Sequence, residues 1–259
     1  MPTRSDFIRT IGLTDDPFAT PFAEYELKRL KDVFYSFYTA PLTNDLDRER
    51  FIQHLRAPKH AFVFGEPGAG KTTLRLTLDA DCRTVLDQTL PISYILGEDI
   101  ENPLSLEEHG QRLSKAFAID FTLNVIERFT PLNPFPSETQ IQELKRQVDM
   151  ASRELNRLFD VILEQPDDQL DSTWGLSKAW SRIGIAPVKY VGSSKLLKEL
   201  LVQIKSSLQM DITPGWDAFQ EGLTTARQWG FSQFLILVDG VDTRQRSPEA
   251  MMALILPLL

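Results

Sequence analysis

Gly65-Glu66-Pro67-Gly68-Ala69-Gly70-Lys71-Thr72 is the stretch on which the reading of this chain turns. It fills every fixed position of the pattern G-x-x-x-x-G-K-[ST], which at average residue usage arises by chance on the order of once per hundred chains of this size. Glycines open backbone angles closed to other residues, so successive N–H groups can converge on one anion. A helix starting just after such a turn adds the positive end of its dipole to the same point. The flanks have the form this geometry needs. His60 to Phe64, HAFVF, reads as a short apolar strand, and Lys71 to Leu78 reads as a helix.

This is the P-loop, or Walker A, pattern. The candidate nucleotide-binding residues are Gly65, Glu66, Pro67, Gly68, Ala69, Gly70, Lys71, Thr72 and Thr73. Lys71 is expected to reach the β and γ phosphates as a mobile point charge with a catalytic role, and the Thr72 hydroxyl to ligate Mg²⁺. Thr73 is a further phosphate donor. The Glu66 carboxylate itself is read as solvated, because two anions repel. A site of this type needs an acidic residue at the end of a second buried strand, and Phe234-Leu235-Ile236-Leu237-Val238-Asp239 supplies it as a Walker B pattern. A carboxylate leaving an apolar strand is favourable only where it meets a cation or donors, here Mg²⁺. Asp242 is the candidate for orienting the attacking water, with a helix cap near Ser247 or an open loop as the plainer alternative. The expected cofactors are therefore ATP and Mg²⁺; the guanine-reading N-K-x-D pattern is missing, which favours ATP over GTP.

Composition fits a soluble globular protein. Of 259 residues, 42% are hydrophobic, and 28 Lys and Arg against 36 Asp and Glu leave a net charge of −8. That length suits one large domain, or one domain with an insertion. No apolar run reaches the roughly 18 residues a membrane helix needs. Met1 to Ile11 lacks the apolar core of a secretory signal, so a cytoplasmic location is expected. The single cysteine, Cys82, excludes internal disulfides and reads as an inert thiol. His54, His60 and His109 have no metal-ligand spacing. The acidic balance argues against tight nonspecific nucleic-acid binding, and Lys28, Arg29 and Lys31 read as a solvated helix face.

Elsewhere the periodicity predicts helices over about 22–38 and 45–55, a strand over 90–95, and helices over about 105–129, 138–165, 174–183, 194–208 and 215–229. A third strand covers 234–238, and a last helix runs from Pro248 to Leu259. Ser137 and Gln140 form a capping-box pattern. Ile141, Leu144, Val148, Ala151, Leu155, Leu158 and Ile162 make an apolar seam, read as bundle packing in preference to an intermolecular coiled coil. Trp174, Trp180, Trp216 and Trp229 read as core residues.

Taken together these residues resemble the P-loop NTPases with an additional strand between Walker A and Walker B, the division that holds AAA+ and STAND ATPases. Gly230-Phe231 followed by FLILVDGVD is most similar to the STAND branch, with Asp239, Gly240, Val241 and Asp242 matching its strand–Asp–small–apolar–Asp pattern. Most AAA+ proteins place a Glu where this chain has Gly240. Asp15 to Phe18, DDPF, is similar to an N-P-F element that lies near the adenine. The similarity covers about 60–96 and 215–245.

The resemblance implies a three-layer α/β/α core with a parallel sheet. Residues 1–58 form an N-terminal helical, adenine-side segment. Residues 59–259 form the core, incomplete at its C-terminal end, with a helical insertion over about 100–214. Sensor, arginine-finger and lid elements are not identifiable, although Arg244 and Arg246 could serve a neighbouring subunit, and the uncapped apolar ending reads as that of a fragment. The implied activity is that of an ATP-binding module. It acts as a nucleotide-dependent regulatory switch or assembly ATPase, hydrolysing ATP slowly or only in a longer chain or oligomer, with a homo-oligomer and an unidentified protein partner as its expected company. The alternatives are an AAA+ ATPase acting on nucleic acid and a P-loop small-molecule kinase.

Overall fold

The computed structural model describes residues 52–63, 70–84, 88–97, 100, 103–128, 135–166, 194–205, 212–241 and 247–258. The expected helix over 22–38, the DDPF element, the helix over 174–183, Trp174 and Trp180 lie outside them. Residues 52–56 are helical, the end of the helix expected over 45–55. Then come α1 (Lys71–Thr84), β1 (Thr89–Ile95), α2 (Leu106–Arg128), α3 (Glu138–Met150), α4 (Ser152–Leu163), α5 (Ser194–Ile204), α6 (Trp216–Gln228), β2 (Gln233–Asp239) and α7 (Pro248–Ile255), which ends in a 3₁₀ turn, Leu256–Leu258.

The two strands form a parallel pair, with Leu90 opposite Phe234, Ile92 opposite Ile236 and Ile95 opposite Asp239. Parallel neighbours cannot be joined by a tight turn and need a long crossover; here the helices α2 to α6 stand between them in sequence. Side chains on a strand alternate between faces, and this alternation sets the layers. Leu90, Ile92 and Tyr94 point to one face of β1 and are fully buried with Leu113, Phe117 and Phe121 of α2. On the opposite face, Leu235 and Leu237 of β2 meet Leu74 and Leu78 of α1 and Leu55 and Ile52 of the preceding helical turn. Helices therefore cover both faces of the two-stranded sheet.

The central helix is α2, buried all round from Asp120 to Ile126. A helix enclosed on every side can lie only between layers. It packs on β1, α3 and α6. Phe117 stacks on Phe121 with ring centroids 5.4 Å apart, and Phe219 meets Phe117 edge-on at 6.0 Å. Trp229 meets Phe121 edge-on at 5.8 Å, and its indole N–H donates to Glu143 Oε2 at 3.2 Å. Trp216 lies against Phe219 at 5.6 Å. The two described tryptophans thus serve packing, each aromatic pair adding about 0.5–1.5 kcal/mol beyond buried area. Glycines make these approaches possible: a Cβ at Gly222 would run into the Phe117 ring, and one at Gly110 into the Trp216 backbone.

Two expectations need correction. The helix expected over 138–165 is two helices, broken at Ala151, which takes φ −125° and ψ 37°. The seam survives the break, since Ile141, Leu144, Val148, Ala151, Leu155, Leu158 and Ile162 are all buried in one core. A seam repeating every seven residues drifts on a straight helix of 3.6 residues per turn, and a break lets each half turn its stripe inward. The strand expected over His60–Phe64 is not formed across 60–63. Those residues have no regular secondary structure, with Phe62 and Val63 46% and 43% exposed. Among the described residues the sheet holds β1 and β2 alone, and 60–63 pairs with neither. The capping box is present in full: the Ser137 side chain accepts from the Gln140 amide, and Gln140 accepts from the Ser137 N–H at 2.9 Å. Among the described residues no helix is long and apolar enough to cross a membrane.

Candidate functional site

Gly70 carries the backbone into α1. Its φ of +82° lies in the left-handed region, where glycine has no Cβ penalty, and its carbonyl accepts the first intrahelical bond, from Leu74 N–H at 3.0 Å. Lys71 opens the helix at its positive end and is half-buried, as is Thr72. Thr73 is 7% exposed, and its carbonyl accepts from the Thr77 hydroxyl at 2.8 Å. Gly65, Glu66, Pro67, Gly68 and Ala69 lie outside the described residues, as do Asp242, Arg244 and Arg246.

Asp239 ends β2 and is brought to α1. Its Oδ2 accepts from Arg75 Nε at 3.0 Å, and its Oδ1 accepts from the Gly240 N–H at 2.8 Å. Arg75 stands one helical turn beyond Lys71, on the same face. The fold thus joins the second turn of the helix behind Gly70 to the carboxylate that ends β2. By donor chemistry the Thr72 hydroxyl and the Asp239 carboxylate suit a hard cation such as Mg²⁺. Among the described residues no group of three or more His, Cys, Asp or Glu side chains is placed to hold a metal by itself.

The glycine after Asp239 has a structural cause. Gly240 takes φ +77°, and a Cβ there would overlap the Leu96 carbonyl oxygen. Leu96 in turn donates its N–H to the Asp239 carbonyl at 2.9 Å, holding the end of β1 against the end of β2. A Glu at 240, as in most AAA+ proteins, would need this turn rebuilt.

Behind the candidate site lies a buried charged network that the sequence reading missed. On α1, Lys71, Arg75, Asp79 and Arg83 follow one another at intervals of four, so they share one face. Arg83, fully buried, reaches Asp79 Oδ2 at 3.2 Å and forms a two-pronged pair with Glu127 of α2, its Nε donating to Oε2 at 2.8 Å. Asp120 of α2 accepts the Ser93 N–H at 2.6 Å, and Arg75 Nη1 reaches the Ser93 hydroxyl at 3.3 Å. Helices α1 and α2 thereby bind to each other and to β1 through charge.

Burial, then the charge of Asp79, pushes the Asp120 carboxyl well above the usual carboxylate range, against the pull of the Ser93 N–H, Arg83 and Arg75. For Arg83, burial works against the charge, but Glu127 and Asp79 outweigh it and keep the guanidinium protonated. The interval of four was visible in the sequence. Its burial was not, because charges seldom lie inside. Cys82 is fully buried on α1, and burial pushes its thiol up to about 12, so it is unreactive.

Compared with protein-family models, with curated proteins and with solved structures, the chain matches none.

Proposed function

We propose that this chain is an ATP-binding module of the additional-strand P-loop division, acting as a nucleotide-dependent switch or assembly ATPase of the STAND type. The observation that carries this reading is the meeting of two sequence-distant elements. The helix that follows the G-x-x-x-x-G-K-T stretch begins at Lys71 behind a left-handed Gly70, and the carboxylate ending β2 is tied to that helix one turn further on. The parallel pairing of β1 with β2 and the helices on both faces agree with a doubly covered α/β core. In the full three-layer form, further strands lie beyond β2, whose Ile236 and Val238 are 41% and 37% exposed.

Lys71 is assigned to the β and γ phosphates, and Gly65 to Thr73 to the nucleotide cradle. Thr72 and Asp239 would hold Mg²⁺, which neutralises phosphate charge when bound. Asp242 is assigned the water-orienting role. Gly240, held to glycine by the Leu96 carbonyl, supports slow turnover over rapid hydrolysis. The test is calorimetric titration of ATP with Mg²⁺ into the chain and into Lys71→Ala, with phosphate release followed in parallel. Binding by the wild type and at least tenfold weaker binding by Lys71→Ala are expected. Undiminished affinity in Lys71→Ala, or no binding by the wild type, refutes the reading.

A further inference from the structure

Asp239 is the acidic residue that the proposed function assigns to Mg²⁺, and both of its carboxylate oxygens are engaged by the protein. Gly240 N–H holds Oδ1 at 2.8 Å, and Arg75 Nε holds Oδ2 at 3.0 Å. The Arg75 side chain is 4% exposed and that of Asp239 is 16% exposed, so this pair is shielded from the screening that weakens surface ion pairs. We propose that Arg75 is a positioning residue that competes with Mg²⁺ for Asp239, so that the Arg75–Asp239 pair sets how much Mg²⁺ the site requires. This inference rests on the nucleotide-binding reading given above and concerns the regulation of that same site.

Three features support it. A guanidinium and a divalent cation placed on one carboxylate repel each other, so occupancy by one weakens the other. Arg75 also has a second place to rest: its Nη1 already reaches the Ser93 hydroxyl at 3.3 Å, and the Asp120 carboxyl lies near enough to feel its charge. Turning from Asp239 toward Ser93 and Asp120 therefore keeps the buried cation partnered, which a leucine-lined pocket would not do. Finally, Arg75 lies on the same helix as Lys71 and Thr72, one turn on. Any displacement of Arg75 is transmitted directly to the start of α1 and, through Ser93 and Asp120, to β1 and α2. The pair thereby links cation occupancy to the buried charged network.

The test is a Mg²⁺ titration, from an EDTA baseline, of a fluorescent ATP analogue bound to the full chain, for wild type, Arg75→Gln and Arg75→Lys. Arg75→Gln is expected to reach half-saturation at about tenfold lower Mg²⁺, a typical size for coupling between neighbouring sites, while Arg75→Lys, which keeps the charge, stays within about threefold of wild type. In wild type alone, the Arg75 Nε–H signal in a nitrogen–proton NMR spectrum, assigned through Arg75→Lys, is expected to shift with Mg²⁺ and ATP together and to stay in place with ATP and EDTA. This second readout keeps the idea open to refutation if Arg75→Gln fails to fold. Nucleotide binding with an unchanged Mg²⁺ requirement in Arg75→Gln, or an unmoved Arg75 signal in wild type, overturns the competition and leaves the nucleotide reading standing. Absence of nucleotide binding by wild type, with or without Mg²⁺, overturns both.

Discussion

Replacing Arg83 by methionine tests whether the charged network holds the fold together. Arg83 has no exposed side-chain surface, Asp79 has none, and Glu127 is 7% exposed, so the partners cannot be rehydrated in place when the cation goes. Removing one partner of a buried pair usually costs about 3–5 kcal/mol, because an uncompensated charge stays behind. Here two carboxylates are left, with Asp120 close by, which places the expected loss at the upper part of that range. At about 2–4 °C per kcal/mol for a chain approaching this size, a loss of about 4–5 kcal/mol should lower the midpoint of thermal unfolding by about 8–20 °C. Urea unfolding followed by far-ultraviolet circular dichroism gives the free energy directly. The triple variant Arg83→Met, Asp79→Leu, Glu127→Met separates loss of attraction from stranded charge: replacing the whole group with apolar side chains should recover most of the deficit, since the sites are coupled. An Arg83→Met variant within about 1 kcal/mol of wild type, or a triple variant no more stable than the single one, would refute the argument.

Gly240→Ala should destabilise the chain by at least the roughly 1–2 kcal/mol of a left-handed non-glycine residue, with the overlap on the Leu96 carbonyl added; urea unfolding with a loss below about 0.5 kcal/mol would contradict the strained turn. His109 is buried beside Tyr94, whose hydroxyl lies 2.7 Å from Nδ1, and burial lowers the imidazole pKa, partly offset by the nearby Leu254 backbone. Its folded value lies below its unfolded one, so the stability it contributes is present above the ordinary imidazole range and is lost as pH falls through the folded value. Stability measured in steps from neutral to mildly acid pH should therefore fall less steeply in His109→Gln than in wild type, and equal slopes would exclude the histidine as the cause.

The legible parts of the fold were those set by short-range chemistry. Ser137 and Gln140 announced the start of α3 because a capping box needs only four adjacent residues. LPISYI and FLILV announced β1 and β2 because each is apolar and bounded by turn residues. The break at Ala151 left no such mark: no glycine or proline stands there, and the kink comes from two halves of one seam turning toward a common core. HAFVF has the composition of a strand, yet across 60–63 it pairs with neither β1 nor β2, and composition does not say which neighbour the chain will meet. At the candidate site, the motif directed attention to Lys71, Thr72 and Thr73 and stopped two residues short of Arg75. What makes Arg75 matter is Asp239, far away in sequence, and no local pattern carries that meeting.

Asp239 is held from three directions: Gly240 N–H on Oδ1, Arg75 on Oδ2, and Leu96 N–H on its own carbonyl. In the proposed reading the Gly240 and Leu96 N–H groups keep the end of β2 in place and so favour a defined binding geometry, while Arg75 is the partner a cation must displace. The same packing forbids a side chain at 240, so an acid adjacent to Asp239 cannot share the work of activating water. In the proposed reading, binding and turnover therefore rest on different stretches of chain. Binding belongs to the start of α1 and the end of β2, which the fold joins rigidly; turnover depends on groups further along, Asp242 first among them. A module divided this way holds nucleotide on its own terms and hydrolyses it only when those further groups are brought to bear, as a switch requires and a constitutive motor does not.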